Sequence, residues 1–138
     1  MRVSLDFNSE VPLYTQLRNQ IVTAIGTGEL ELGERLPTVR QLAQDLGINP
    51  MTVNKAYAQL KAEGFLEMDR RRGAAVSDGF LSAGGGYEPY RGKLERELKL
   101  TICEAFLRGM NAAEFQELCT TIIAGLRLPK PLPEMEGN

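Results

Sequence analysis

Six residues in one short run, Asn49, Pro50, Met51, Thr52, Asn54 and Lys55, bring together two carboxamides, a hydroxyl, a thioether and one ammonium group. Amides pair with base edges, a hydroxyl with a phosphate or a base, and an apolar tip with a thymine methyl. Together these are the chemistries of major-groove contact. The spacing puts them on one side of a helix. Val53, Ala56, Tyr57 and Leu60 recur at i, i+3, i+4 and i+7, an apolar stripe that leaves Met51, Thr52, Asn54, Lys55 and Gln59 facing away from it. Asn49 is an N-cap, and Pro50 suits the first helical position, where a missing N–H costs nothing. A purely solvated face would carry pairs of Glu and Lys instead. The second cluster is Arg70, Arg71 and Arg72 ahead of Gly73, which reads either as a solvated hairpin tip or as cations for phosphates and a narrow minor groove.

Two further elements must position these residues. Thr38 caps a preceding helix that carries Val39, Leu42, Ala43 and Leu46 on one face, with Gln41 completing a capping box and Gly47 ending the helix. Gly64 closes the second helix. Phe65 to Met68 then reads as a strand, Asp69 to Gly73 as a tight turn, and Ala74 to Ser77 as the returning strand. Helix, turn, helix and basic hairpin in this order make a winged helix-turn-helix. Arg40, in the first helix, either meets a phosphate or pairs with Asp45 or Glu34. Tyr57 belongs to the core. Tyr14 reads as core too, with a hydroxyl that could reach a backbone phosphate.

The chain resembles the GntR family of bacterial transcription regulators, in particular its short YtrA-like branch. The resemblance rests on Pro12-Leu13-Tyr14 with Gln16-Leu17, Gly28 to Leu30 with Gly33, and Leu36-Pro37-Thr38 with Arg40. It continues through Leu42-Ala43, Thr52-Val53, Ala56-Tyr57, Leu60 and Gly64-Phe65. It implies DNA contacts from Arg40, from Asn49, Pro50, Met51, Thr52 and Asn54, and from Arg72 and Gly73; Lys55, Arg70 and Arg71 join them from the residue reading. Some family members place arginines where this chain has Pro50 and Asn54, and many end the wing in Gly-Ser/Thr-Phe/Tyr-Val rather than Gly73-Ala74-Ala75-Val76. Recognition here is therefore expected to lean on the wing arginines and on DNA shape.

Composition fits a globular protein with no membrane span or signal peptide, and so a cytoplasmic one. Cys103 and Cys119 agree with a reducing compartment; each reads as a small buried hydrophobe, with a redox switch as the sharper alternative. The net charge of −2 is low for a DNA-binding chain. Its distribution matters more: Leu36 to Val76 holds six Lys and Arg against four Asp and Glu, or +2, and the remainder sums to −4. Acidic surroundings weaken unspecific phosphate binding, so affinity is expected to rest on a dimer. With no histidine, a His-based acid, base or metal ligand is excluded, and no nucleophile has an adjacent base. No enzyme, metal or cofactor is expected.

Val11 to Thr27 reads as a helix with Leu13, Leu17, Ile21 and Ile25 inward, packed on the helix pair. Beyond a glycine-rich break at Ser82 to Gly86 come two more helices. One spans Arg91 to Leu107, with Leu94, Leu98, Ile102 and Ala105 inward. The other spans Ala112 to Leu126, with Phe115, Leu118, Ile122 and Leu126 inward and an Asn111–Glu114 capping signature. A helical hairpin of this size buries too little surface to stand alone. A second copy completes a bundle through Leu94, Leu98, Ile102, Phe106, Phe115, Leu118, Ile122 and Leu126. The expected fold is mainly α with a small β-wing. Residues 1–78 form the winged helix-turn-helix, 79–90 a linker, 91–128 a helical hairpin forming a dimer bundle, and 129–138 a tail too short for an effector domain. The function read from this is a dimeric repressor on a double-stranded DNA operator. Two alternatives are a winged helix that binds protein, and a sensor with a small-molecule effector held at the dimer interface among Phe106, Met110 and Phe115.

Overall fold

The computed structural model describes residues 1–71, 73–81 and 86–127. Helices α1 (Leu13–Gly26), α2 (Val39–Leu46) and α3 (Pro50–Ala62) precede a hairpin of β1 (Leu66–Asp69) and β2 (Gly73–Val76). A single 3-10 turn at Gly79–Leu81 leads on to α4 (Tyr87–Leu107) and α5 (Ala112–Ala124).

The caps begin with the sequence. Thr38 Oγ1 accepts the N–H of Gln41, one half of the expected box. Gly47, at φ 67°, turns the chain into the left-handed region that ends α2. Asn49 Oδ1 accepts the N–H of Met51 with Pro50 in the first turn, so α3 starts without a wasted donor. The stripe of α3 is fully committed: Val53, Ala56, Tyr57 and Leu60 are all buried, packed between α1 and α2. They meet Leu17, Ile21, Ala24 and Ile25 of α1, Leu42 and Ala43 of α2, and Leu66, Ala74 and Val76 of the hairpin. Each large side chain buried in this way contributes about 1.5–3 kcal/mol.

In the hairpin Leu66 faces Val76 and Asp69 faces Gly73. Its strands lie one residue away from the expected Phe65–Met68 and Ala74–Ser77, because the Phe65 N–H still closes the end of α3 on the Leu60 carbonyl. The other edge of β2 is also occupied. The Leu36 N–H donates to the Ala74 carbonyl at 2.9 Å, the Val76 N–H to the Glu34 carbonyl at 2.8 Å, and Arg35 bridges Ala75. The wing is thereby fastened to the segment that leads into α2.

Helix α1 starts two residues later than the expected Val11, with Pro12 as its N-cap. Gln16 and Gln20 strap the N-terminal segment along it: Gln16 Oε1 accepts the Asp6 N–H and Gln20 Oε1 the Ser4 N–H, both at 2.8 Å. Val3 and Leu5 are laid on the core as a result.

The C-terminal part departs from expectation at both ends. Helix α4 begins at Tyr87 rather than Arg91, since Pro89 falls in the first turn, where backbone donors have no helical partner to lose. The proposed linker is shortened from its other side as well. The Phe80 ring stacks on Phe65 with centroids 5.3 Å apart, and its N–H donates to the Gly64 carbonyl. Helix α5 stops at Ala124, with Gly125 as its C-cap, so Leu126 lies beyond it rather than on its inner face. The Asn111–Glu114 capping box is complete. Neither α4 nor α5 has a buried residue, and Phe106 and Phe115 meet edge to face at 6.4 Å. Most of the glycine-rich stretch and the Pro-rich tail lie outside the described residues.

Tyr57 is the core residue with a polar handle. Its hydroxyl donates to the Pro37 carbonyl at 2.7 Å, and burial pushes the phenol above its ordinary value. Tyr57→Phe is expected to lower unfolding free energy by about 1 kcal/mol in urea titrations. In the unfolded chain the phenol ionises near pH ~10, whereas the folded chain keeps the proton. Its contribution is therefore present below about pH 10 and lost as pH rises beyond it, and the variant should show a shallower alkaline loss of stability.

Candidate nucleic-acid interface

With its stripe buried, α3 presents its other side to solvent. Met51 is 76% exposed. Asn49, Pro50, Asn54 and Lys55 are exposed and Thr52 is half-buried. The Asn49 carboxamide oxygen is spent on the cap, which leaves its NH2 as the group free to donate outward. Lys55 is held: its Nζ stands 4.1 Å from the centroid of the Tyr14 ring, a cation–π contact worth about 0.5–1 kcal/mol at an exposed position. Tyr14, Met51, Thr52, Asn54 and Lys55 line a shallow depression of about 510 Å³ that contains one cation and no carboxylate.

Arg40 is exposed in the first turn of α2. Neither Asp45 nor Glu34 neutralises it. The ion pairs among the described residues are Arg18–Glu63, Arg91–Glu95, Lys93–Glu97 and Arg108–Glu104, and the Glu34 carboxylate instead accepts the Glu31 N–H. Arg70 and Arg71 stand exposed at the tip of the hairpin, likewise without an ion pair among the described residues. The tip is shaped by Asp69, whose Oδ1 accepts the Arg71 N–H at 2.7 Å. Gly73 opens β2, and Arg72 lies outside the described residues. The structure thus offers a polar helix face, a free guanidinium on the helix before it and two cations on the wing.

Tyr14 packs against the buried core as its place on α1 implies; what sequence reasoning missed is its contact with Lys55. Its position three residues before Leu17 and seven before Ile21 puts it on the core stripe of α1, and it is half-buried and carries Lys55 on its ring. Only contact between α1 and α3, which no local pattern encodes, reveals this. Cys103 departs from the expected buried hydrophobe: it is exposed on α4, while Cys119 is partly covered. Among the described residues neither α4 nor α5 buries a side chain. Leu94, Ile102, Phe115 and Leu126 are half-covered, whereas Leu98, Phe106, Leu118 and Ile122 are exposed.

Residues 13–76 match the family described as bacterial regulatory proteins, gntR family. The HTH-type transcriptional repressor YtrA of Bacillus subtilis is 30% identical over 125 residues, 91% of this chain and 95% of its own length. The regulator Rv1152 of Mycobacterium tuberculosis is 40% identical over 73 residues, 53% of this chain and 60% of its own. Among solved structures, YtrA from Sulfolobus acidocaldarius, a GntR-family transcription factor, superposes with a TM-score of 0.59 at 35% identity, covering 73% of this chain and 97% of that one. A Listeria monocytogenes protein titled a transcriptional antiterminator shares the fold over 88% of this chain and 90% of its own, with a TM-score of 0.78 at 24% identity. The chain belongs to the GntR family of bacterial transcription regulators, a family of DNA-binding winged helix-turn-helix proteins rather than of enzymes.

The two kinds of side chain separate by experiment. Asn54→Ala is expected to change which sequences are preferred when the variant selects duplexes from a randomised pool. Arg40→Ala is expected to weaken binding nearly equally on preferred and scrambled duplexes, lowering the slope of log affinity against log salt by about 2, one phosphate contact from each protomer of a dimer.

Proposed function

We propose that the chain is a cytoplasmic, dimeric repressor that binds a two-fold DNA operator. In this reading Asn49, Pro50, Met51, Thr52 and Asn54 enter the major groove, Lys55 and Arg40 meet the backbone, and Arg70, Arg71, Arg72 and Gly73 follow the flanking groove. The observation that carries it is the division of α3. One side is wholly buried, and the other is exposed, short and polar, beside an Arg40 that makes no ion pair among the described residues. Repression is favoured by the Bacillus subtilis relative, which is a repressor and aligns along nearly its whole length. The regulated operon is read as including the chain's own gene with ABC transporter genes. No helix among the described residues is long and apolar enough to cross a membrane, in keeping with a cytoplasmic site of action.

Dimerisation is supported by the unfinished hairpin. Leu98, Phe106, Leu118 and Ile122 are exposed, Ile122 by 55%, on helices that bury nothing by themselves. A second hairpin covers the same residues isologously and places two reading heads on successive turns of DNA. Two copies also double a small cationic complement, which a net charge of −2 makes necessary.

Fluorescence anisotropy on the chain's own upstream DNA and on a scrambled duplex, over a salt series with mass measured in parallel, tests the reading. A dimer with specific, salt-sensitive binding is expected. A folded dimer that binds no duplex at low salt would turn the surface over to a protein partner. Ile122→Asp is expected to give a folded monomer whose operator affinity falls by at least about tenfold, since one head cannot use both half-sites.

A further inference from the structure

Lys55 differs from the other cations of the reading surface. Arg40, Arg70 and Arg71 are exposed and make no ion pair among the described residues, but the Lys55 ammonium is parked 4.1 Å above the Tyr14 ring, a residue of another helix. Tyr14 lies in the first turn of α1, and its other packing neighbours belong to the core. The ring therefore holds the ammonium at the seam between α1 and α3, on the flank of the recognition helix. From that place Lys55 can serve charge but not a base edge further into the groove. The seam opens into the depression lined by Tyr14, Met51, Thr52, Asn54 and Lys55, where the ammonium stands over the ring. Tyr14 and Thr52 each bring a hydroxyl to this lining, a donor without charge.

We infer that Tyr14 and Lys55 together form a seat for one backbone phosphate of the DNA, with Tyr14 as the positioning residue and Lys55 as the contacting cation. The inference rests on the DNA-binding reading above and deepens it. It gives a physical reason why Lys55 meets the backbone while residues such as Met51, Thr52 and Asn54 choose sequence. It also gives α1, otherwise a packing element, a part in registering the recognition helix on the duplex. Phosphate contacts fix register and orientation without carrying sequence information, and a cation already held in place loses less freedom on contact. The occupant is a phosphodiester because the lining offers one positive charge, neutral donors and no acid.

The test uses the full-length chain with two duplexes: one enriched by the wild-type protein from a randomised pool, and a scramble of it. Lys55→Met is expected to lower affinity at least about fivefold on both duplexes and to reduce the salt slope by about 1.8, the signature of one lost phosphate contact from each protomer of the dimer. Tyr14→Leu is expected to weaken binding in the wild-type background and to do almost nothing further in the Lys55→Met background. Tyr14→Phe keeps the ring and so should keep the salt slope. Thermal unfolding of each variant accompanies the titrations, and Lys55→Met and Tyr14→Phe remain decisive should Tyr14→Leu fail to fold. A Lys55→Met protein with an unchanged salt slope overturns the seat, as does one whose preference between the two duplexes shifts. Fully additive effects of Tyr14→Leu and Lys55→Met overturn the positioning role. Wild-type protein without salt-dependent duplex binding would instead overturn the DNA reading, and the seat with it.

Discussion

The step from Leu36 to Pro37 holds the reading head together. The Leu36 N–H donates to the Ala74 carbonyl of β2, and one residue later the Pro37 carbonyl accepts the hydroxyl of Tyr57 from the middle of α3. Two adjacent backbone groups thus tie the wing to one side of the segment and the recognition helix to the other. Immediately afterwards, Thr38 caps α2. The hydroxyl bond is part-buried and contributes about 1 kcal/mol. Everything proposed for DNA contact, from Arg40 through Asn54 to the arginines of the wing, depends on three elements whose relative placement this step fixes.

Electrostatics sets the second constraint. The surface that faces outward on α3 is mostly neutral, and the free cations lie around it, on α2, on the wing and at the seam with α1. In the proposed reading such an arrangement divides labour: neutral amides, a hydroxyl and a thioether would discriminate between base edges, and peripheral cations would supply affinity. With the remainder of the chain acidic, unspecific phosphate binding is expected to be weak. Specificity then depends on contacts that only correct register can make together.

Local chemistry explains which parts of this were legible in the sequence. Asn49-Pro50, Thr38 with Gly47, and Asn111 with Glu114 announce helix ends because a cap is satisfied within three residues of itself. The stripe of α3 was legible because its period needs no knowledge of what it packs against. Contacts across the chain were not. The second neighbour of β2, the residues around Arg35, carries no alternation to mark it as a strand partner. Pro89 reads as a break in sequence, yet in the first turn of α4 it breaks nothing. Tyr14 obeys the core period of α1, and only the approach of α3 turns its ring toward Lys55.

The hairpin of α4 and α5 is not merely strung behind the reading head. Gly28, at φ 79° in the turn after α1, lies under the chain just past α5. A Cβ built on it would stand 2.8 Å from the Cβ of Arg127 and 3.5 Å from its carbonyl oxygen. Glycine there serves twice, since a side chain would be strained by the backbone and would collide with the neighbour. At its other end the chain leaving the wing is held by Phe80 on Phe65, beside the Arg18–Glu63 pair and with the Arg18 guanidinium 5.6 Å from the Phe65 ring. The two contacts lie on either side of the hairpin in the chain, one before α4 and one just past α5. The sparse packing of α4 and α5 leaves their apolar side chains uncovered among the described residues, and in the proposed dimer a second hairpin covers them and sets the separation of the two recognition helices.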